Sequence, residues 1–169
     1  LDFYGFKPEL LEVSDAENLP FSDNFFDLVY SYGVLHHTPD FKKALSEVFR
    51  VTKTKGEIKL MIYNKYSSRA IQYWLYYGLL KGKPFRSIKD IFNMDRESYG
   101  TQIYSKKEIL NILSEFPVKK IAITAEATKP DFLTNRDHKK VFQIFAYILV
   151  GLLGFHKSGF YMNLNKKKK

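Results

Sequence analysis

Cysteine is absent from all 169 residues. That excludes a disulfide framework, a thiolate metal site and a cysteine nucleophile, and it fits a reducing compartment, so a cytoplasmic location is expected. Long hydrophobic runs are missing too. The longest, Val141–Phe155, has 15 residues, short of the roughly 20 that span a bilayer. The opening residues, LDFYGF, carry neither the basic segment nor the apolar core of a secretory signal. No initiator Met and no glycine-rich turn precede Asp15. Histidine is scarce: His36 and His37 are adjacent and their side chains diverge, while His138 and His156 stand apart, so no metal site is expected. Acidic residues are outnumbered 18 to 27, for a net charge of +9. Lys166–Lys169 supply four of those charges and leave +5 for a scattered remainder, the pattern of a solvated face. Nucleic acid is therefore not an expected partner.

What is present is half of an α/β domain. Phe26–Ser31 (FDLVYS) is a short apolar run rich in β-formers, the pattern of a strand buried on both faces. From Asp40 to Thr52, Phe41, Leu45, Val48 and Phe49 recur at three to four residues with Ala44 on the same side, which predicts a helix. Asp40 after Pro39 is its N-cap, Gly56 provides the turn out, and Ile58–Tyr63 (IKLMIY) is the next strand. A strand–helix–strand unit with short joints predicts a right-handed crossover and parallel strands.

Four segments in order, DAENLPF (15–21), FDLVYSYGVLHH (26–37), ALSEVFRVTKTKGE (44–57) and the strand after them, resemble the second half of a class I S-adenosylmethionine-dependent methyltransferase. The resemblance is to the broad type 11 group that includes ubiquinone and menaquinone biosynthesis methyltransferases. It covers about a third of the chain closely. It implies a Rossmann-like α/β fold, mostly parallel with an antiparallel last strand, in the order 3-2-1-4-5-7-6, with S-adenosylmethionine as cofactor. The family's glycine loop and strands 1 and 2 have no counterpart before Asp15. The chain is therefore expected to be the C-terminal portion of a longer enzyme, of doubtful activity alone, with Leu10–Val13 ending strand 3 and strand 4 showing an unpaired edge.

The resemblance also implies a cofactor site in the loops at the carboxyl ends of the strands, where open α/β sheets bind ligands. Asp15 would accept from the adenine amino group, the Ala16 N–H would meet a ring nitrogen, and Glu17 adjoins them; Leu19, Pro20 and Phe21 would pack beneath. By itself Asp15 reads as a loop or cap residue. Ser31, Tyr32 and Gly33 end strand 4, with Ser31 beside the methionine part and Gly33 letting the backbone turn. His37 is the catalytic candidate, a general base for a hydroxyl acceptor, against a reading as plain pocket wall.

The expected organisation is 1–64 for the cofactor-binding core (strands 3–5), 65–104 for an insertion or lid over the acceptor pocket, and 105–169 for the remaining helices and last two strands. In the insertion, Ile71, Trp74, Leu75 and Leu79 fall at helical spacing with Tyr73, Tyr76 and Tyr77 between them. Such an aromatic lining suits an apolar or ring-bearing small-molecule acceptor, and it equally suits core packing. Ser105 and Glu108 form a capping box for a helix ending at Phe116, with Ile109, Ile112 and Leu113 buried. Val118–Ala125 is a strand, Phe160–Asn165 the last, antiparallel one, and the lysine tail a solvated end. Val141–Phe155 reads as a helix buried on the sheet, or as an interfacial helix helped by Lys139, Lys140 and Lys157. The main reading is methyl transfer to a small molecule. Its alternative is a non-catalytic, membrane-surface or partner-binding module with peripheral membrane contact through 141–157. RNA methylation draws only on net charge.

Overall fold

The structure is a computed structural model and describes residues 5, 7–96, 100–124, 148, 152 and 160–167. Strands β1 (Phe26–Tyr32) and β2 (Thr52–Ile62) are joined through helix α1 (Phe41–Val51). The helix begins where its residues predict: the Asp40 carboxylate accepts from the Lys43 N–H at 3.0 Å, satisfying a donor that the first turn leaves open. Phe41, Ala44, Leu45, Val48 and Phe49 are all buried, as the stripe requires. β2 lies parallel to β1 and carries Ile58, Leu60 and Ile62 into the same core.

The exit from α1 differs from expectation. The chain enters β2 at Thr52, whose hydroxyl donates to the Val48 carbonyl at 2.6 Å, and Gly56 lies inside the strand rather than at the helix end. Between the pairs Phe26–Thr52 and Leu28–Glu57 the β2 chain bulges outward, with Lys55 at φ 68°. A Cβ on Gly56 would stand 2.7 Å from Thr52 Cγ2 and 2.8 Å from the Lys53 carbonyl, so close packing selects the glycine.

Beyond β2 come helix α2 (Ser68–Tyr73), widened into a π turn over Trp74–Leu80, and helix α3 (Ile88–Ile91), widened likewise over Phe92–Arg96. The widening changes which side chains face inward. Ala70, Tyr73, Leu75 and Tyr77 are buried and Leu79 is exposed, so the buried set is not the expected Ile71–Trp74–Leu75–Leu79 series. Helix α4 (Lys106–Ser114) has the capping box between Ser105 and Glu108, which holds the Glu108 carboxyl below its ordinary range. Strand β3 (Val118–Thr124) and strand β4 (Phe160–Lys166) complete a sheet of order β1-β2-β4-β3. β4 is antiparallel to both neighbours, so three strands share a direction and the last opposes them.

α1 and α4 bury one face of this sheet. On the other, Leu28, Tyr30 and Tyr32 are 47%, 65% and 50% exposed, so β1 is not buried on both faces, and among the described residues no strand pairs its outer edge. Leu10–Val13 forms no strand, and Leu10, Leu11 and Val13 are exposed; among the described residues the sheet offers it no neighbouring strand with which to pair. Of Val141–Phe155 only Ile148 and Leu152 are described, both helical and exposed; the rest of that run lies outside the described residues.

The lysine tail is not wholly solvated. Lys166 Nζ donates to the carbonyls of Phe49 (2.7 Å) and Thr52 (2.6 Å) and to Asn24 Oδ1 (3.1 Å). Its ammonium thereby meets the carbonyl end of α1, where positive charge is favoured. A cavity of about 440 Å³ beside it lies at the amino ends of β1, β2 and β3 and the carboxyl end of β4, away from the loops described next.

Candidate functional site

The segment Asp15–Asn24 runs down the length of α1, and its hydrogen bonds fix where the acidic loop stands. At the upper end Glu17 accepts the Asp40 N–H at 2.7 Å and lies 3.8 Å from Lys43 Nζ. Midway the Leu19 N–H donates to Glu47 at 2.8 Å. At the lower end the Arg50 guanidinium donates to Glu47 through Nε and Nη2, to the Leu19 and Phe21 carbonyls and to Asp23, engaging all five N–H groups. Hydrogen bonding to Glu47 and Asp23 raises the Arg50 pKa, and its hydrogen bond to Glu47 lowers that carboxyl. Because α1 starts just after the turn that follows β1, anchoring Glu17 there carries Asp15 and Ala16 to the carboxyl end of the strand.

At that end Asp15 is exposed. One carboxylate oxygen accepts the Glu17 N–H at 2.9 Å, and its carbonyl accepts Asn18 N–H at 3.0 Å, a self-closed acidic turn. Ala16 packs against the main core. The Glu17 carboxylate is committed to α1 and only 13% exposed, so it positions the loop. Ser31 shares the β1 face of Val29, which packs on the core, and pairs in register with Leu60. Tyr32 lies on the open face, stacked on Tyr30 at 6.2 Å with its hydroxyl 3.2 Å from that of Tyr161. Gly33 has φ +73° and donates to the Met61 carbonyl at 3.1 Å. The nearest atom to a Cβ there is Met61 Sδ at 4.0 Å, so backbone conformation and not crowding calls for glycine.

The histidine pair follows in a single 3₁₀ turn, Leu35–His37. His36 is fully buried against Tyr63, ring centroids 4.1 Å apart, and neither ring nitrogen finds a hydrogen-bond partner. Burial, with the adjacent His37 adding to it, holds its pKa down to about 3, so the ring is neutral. His37 is half-buried and its Nδ1 lies 2.8 Å from the Thr101 hydroxyl. Contrary to expectation the two side chains do not diverge: the 3₁₀ turn brings their ring centroids to 4.3 Å, yet among the described residues no cluster of three or more His, Cys, Asp or Glu gathers.

A second segment grips this turn, and no pattern in the sequence points to it. The Gln102 N–H donates to the His36 carbonyl at 2.8 Å, and its side-chain amide to the Pro39 carbonyl at 3.2 Å. Tyr104 donates to the Gln102 amide oxygen and exchanges backbone hydrogen bonds with Tyr63 and Lys65, beside the end of β2. Burial, then the nearby Asp40 and Glu108 carboxylates, raise the Tyr104 pKa, so the phenol stays a donor. Behind Tyr63 stand Phe92 at 5.8 Å and, against Phe92, Tyr73 at 5.3 Å. Asp15–Glu17, Ser31–Gly33, Leu35–His37 and Thr101–Tyr104 thus gather at the carboxyl ends of β1 and β2, next to an aromatic cluster drawn from α2 and α3.

Residues 5–60 match the family model described as a methyltransferase domain. The chain is 42% identical over 53 residues to a ubiquinone/menaquinone biosynthesis C-methyltransferase of Rickettsia prowazekii, covering 31% of this chain and 21% of that protein. It is 30% identical over 109 residues to a demethylmenaquinone methyltransferase of Desulfitobacterium hafniense, covering 62% and 43%. The chain therefore spans less than half the length of these curated relatives. Among solved structures, a SAM-dependent methyltransferase from Archaeoglobus fulgidus shares the fold with a TM-score of 0.55 at 16% identity, covering 90% of this chain and 66% of that one.

Proposed function

We propose, from the premise that this chain belongs to the class I S-adenosylmethionine-dependent methyltransferases, that it takes part in methyl transfer to an apolar or ring-bearing small molecule. The observation that carries the reading is the meeting of the acidic turn, the Gly33 turn and the histidine turn at the carboxyl ends of β1 and β2. That is where an open α/β sheet binds ligands.

The residues present fit the adenine end of the cofactor. Asp15 offers an exposed carboxylate suited to an exocyclic amine, and the half-buried Ala16 beside it leaves a backbone N–H for a ring nitrogen. Ser31 and the backbone around Tyr32 and Gly33 would face the methionine portion. Bound S-adenosylmethionine supplies a methyl group on a sulfonium leaving group, so in-line displacement needs neither a metal nor a covalent enzyme intermediate. Catalysis is then mainly positioning. His37, oriented through Nδ1 by Thr101, is the residue to take a proton from a hydroxyl acceptor. In this arrangement residues 1–64 serve the cofactor, and residues 65–104 cover the acceptor, with Tyr63, backed by the buried Phe92 and Tyr73, as its apolar wall. The quinone-pathway names of the two relatives agree with a ring-bearing acceptor.

Calorimetric titration of S-adenosylhomocysteine into the protein at its native length tests the assignment. Asp15→Ala removes a charged acceptor and should weaken binding by about 10-fold or more. A folded native-length protein that binds no S-adenosylhomocysteine would remove the catalytic reading.

A further inference from the structure

The turn joining α2 to α3 presents three apolar side chains to solvent in a stretch rich in cations. Leu79 and Leu80 are 49% and 62% exposed, and Phe85 is 101% exposed, as open as in an extended chain. Single exposed apolar residues are ordinary on protein surfaces. Three of them within seven residues, interleaved with Lys81 and Lys83 and followed by Arg86 and Lys89, are a different matter. The acidic residue of the stretch, Asp90, is 2.7 Å from the Ser87 hydroxyl, at the N-cap of α3. The tip is ordered. Gly82 at φ +68° donates to Leu79 O at 3.1 Å, and Lys83 N–H donates to Gly78 O at 2.8 Å, the paired bonds of a Schellman helix end. Lys81 lies 4.7 Å over the Tyr77 ring, and Arg86 N–H donates to Lys83 O at 3.1 Å. The backbone therefore holds these apolar side chains outward, at the cost of their hydration.

We propose that residues 79–89 form a membrane-docking tip that rests on an anionic bilayer surface. Leu79, Leu80 and Phe85 enter the headgroup–acyl boundary while the surrounding lysines meet lipid phosphates with their stems lying along the interface. Charge complementarity selects an anionic lipid surface. The form of the tip selects a bilayer over an acidic protein, because a protruding turn is a wedge that lipid accommodates without a matching cavity. This places membrane contact on the α2–α3 turn instead of on residues 141–157.

Vesicle flotation of the native protein on phosphatidylcholine, with and without phosphatidylglycerol, tests it. Binding is expected on the anionic vesicles alone, and to weaken as salt is raised. Leu80→Glu/Phe85→Glu and Lys81→Glu/Lys83→Glu should each lower the apparent partition at least about tenfold with unchanged circular dichroism, whereas Ile148→Glu/Leu152→Glu should not change it. In a Trp74→Phe/Phe85→Trp protein, tryptophan emission should shift to the blue on anionic vesicles only. Absence of vesicle binding, binding unaffected by the tip variants, or binding lost in the Ile148/Leu152 variant would each overturn the proposal. So would tip-dependent capture of an acidic protein without vesicle binding.

Discussion

Replacing Lys166 by Met tests whether the lysine-rich end is part of the fold. Met keeps the length and apolar character of the stem and removes only the ammonium. In the structure that ammonium uses all three of its donors, two of them on the part-buried carbonyls of Phe49 and Thr52 at 2.7 and 2.6 Å. A hydrogen bond from a charged donor contributes about 1.5–3 kcal/mol, and positive charge at a helix carbonyl end about 0.3–1 kcal/mol. The two overlap, since the same contact supplies both, and ordering a lysine side chain opposes them by about 1.5–2 kcal/mol. Losing the ammonium also strands two carbonyls that water reaches only in part. The net expectation is a loss of about 2 kcal/mol, which for a domain of this size lowers the midpoint of thermal unfolding by about 4–8 °C. Urea and thermal denaturation of Lys166→Met beside Lys167→Met, a change at the exposed neighbouring position, makes the comparison internal. Lys167→Met should fall within about 0.5 kcal/mol of the parent protein. Equal stability of the two variants would refute the reasoning and return the tail to solvent.

Gly56→Ala should cost about 2–3 kcal/mol in the same assay, because its new methyl meets the Thr52 side chain and two backbone carbonyls at or below 3.0 Å, and backbone cannot move aside as a side chain can. Unchanged or raised stability, the ordinary outcome of Gly→Ala where the backbone is compatible and nothing clashes, would show that the β2 bulge has room. His36 predicts a pH dependence. Its folded pKa of about 3 lies below the ordinary 6.5, so the unfolded chain takes up a proton first as pH falls. Stability from this residue is complete above about pH 6.5 and is lost between there and pH 3, by about 2 kcal/mol at pH 5 relative to pH 8. His36→Phe should flatten that slope; an unchanged slope would mean that the ring already titrates in the folded protein.

How much was legible in the chain varies by element. The α1 stripe, the Asp40 cap, the Ser105–Glu108 box and strands β1 to β4 are readable because each signal lies within one element. The four family segments are readable for the same reason: they are short motifs on one α/β unit. The candidate site is half legible. Asp15, Gly33 and His37 stand in motifs, but Thr101, Gln102 and Tyr104 stand in none, and Thr101 reaches His37 across 64 residues. Helical spacing also misled over 71–79, where π turns shift the inward face by one residue per turn.

By itself the sequence determined the kinds of elements, their caps and the likeness of residues 5–60 to a methyltransferase domain. Those depend on backbone propensity, on side-chain period and on contacts within about four residues, all present before the chain collapses. Only the tertiary structure decided that Glu17 and Arg50 hold the acidic turn along α1, that Gln102 grips the histidine turn, and that Lys166 closes α1 from 114 residues away. It also decided that β1 shows Tyr30 and Tyr32 on an open face. Each of those outcomes is a pairing of polar or apolar groups whose partner the local chain does not contain. The search for a partner is settled when the sheet forms and brings distant carbonyls, carboxylates and rings within a few ångströms of each other.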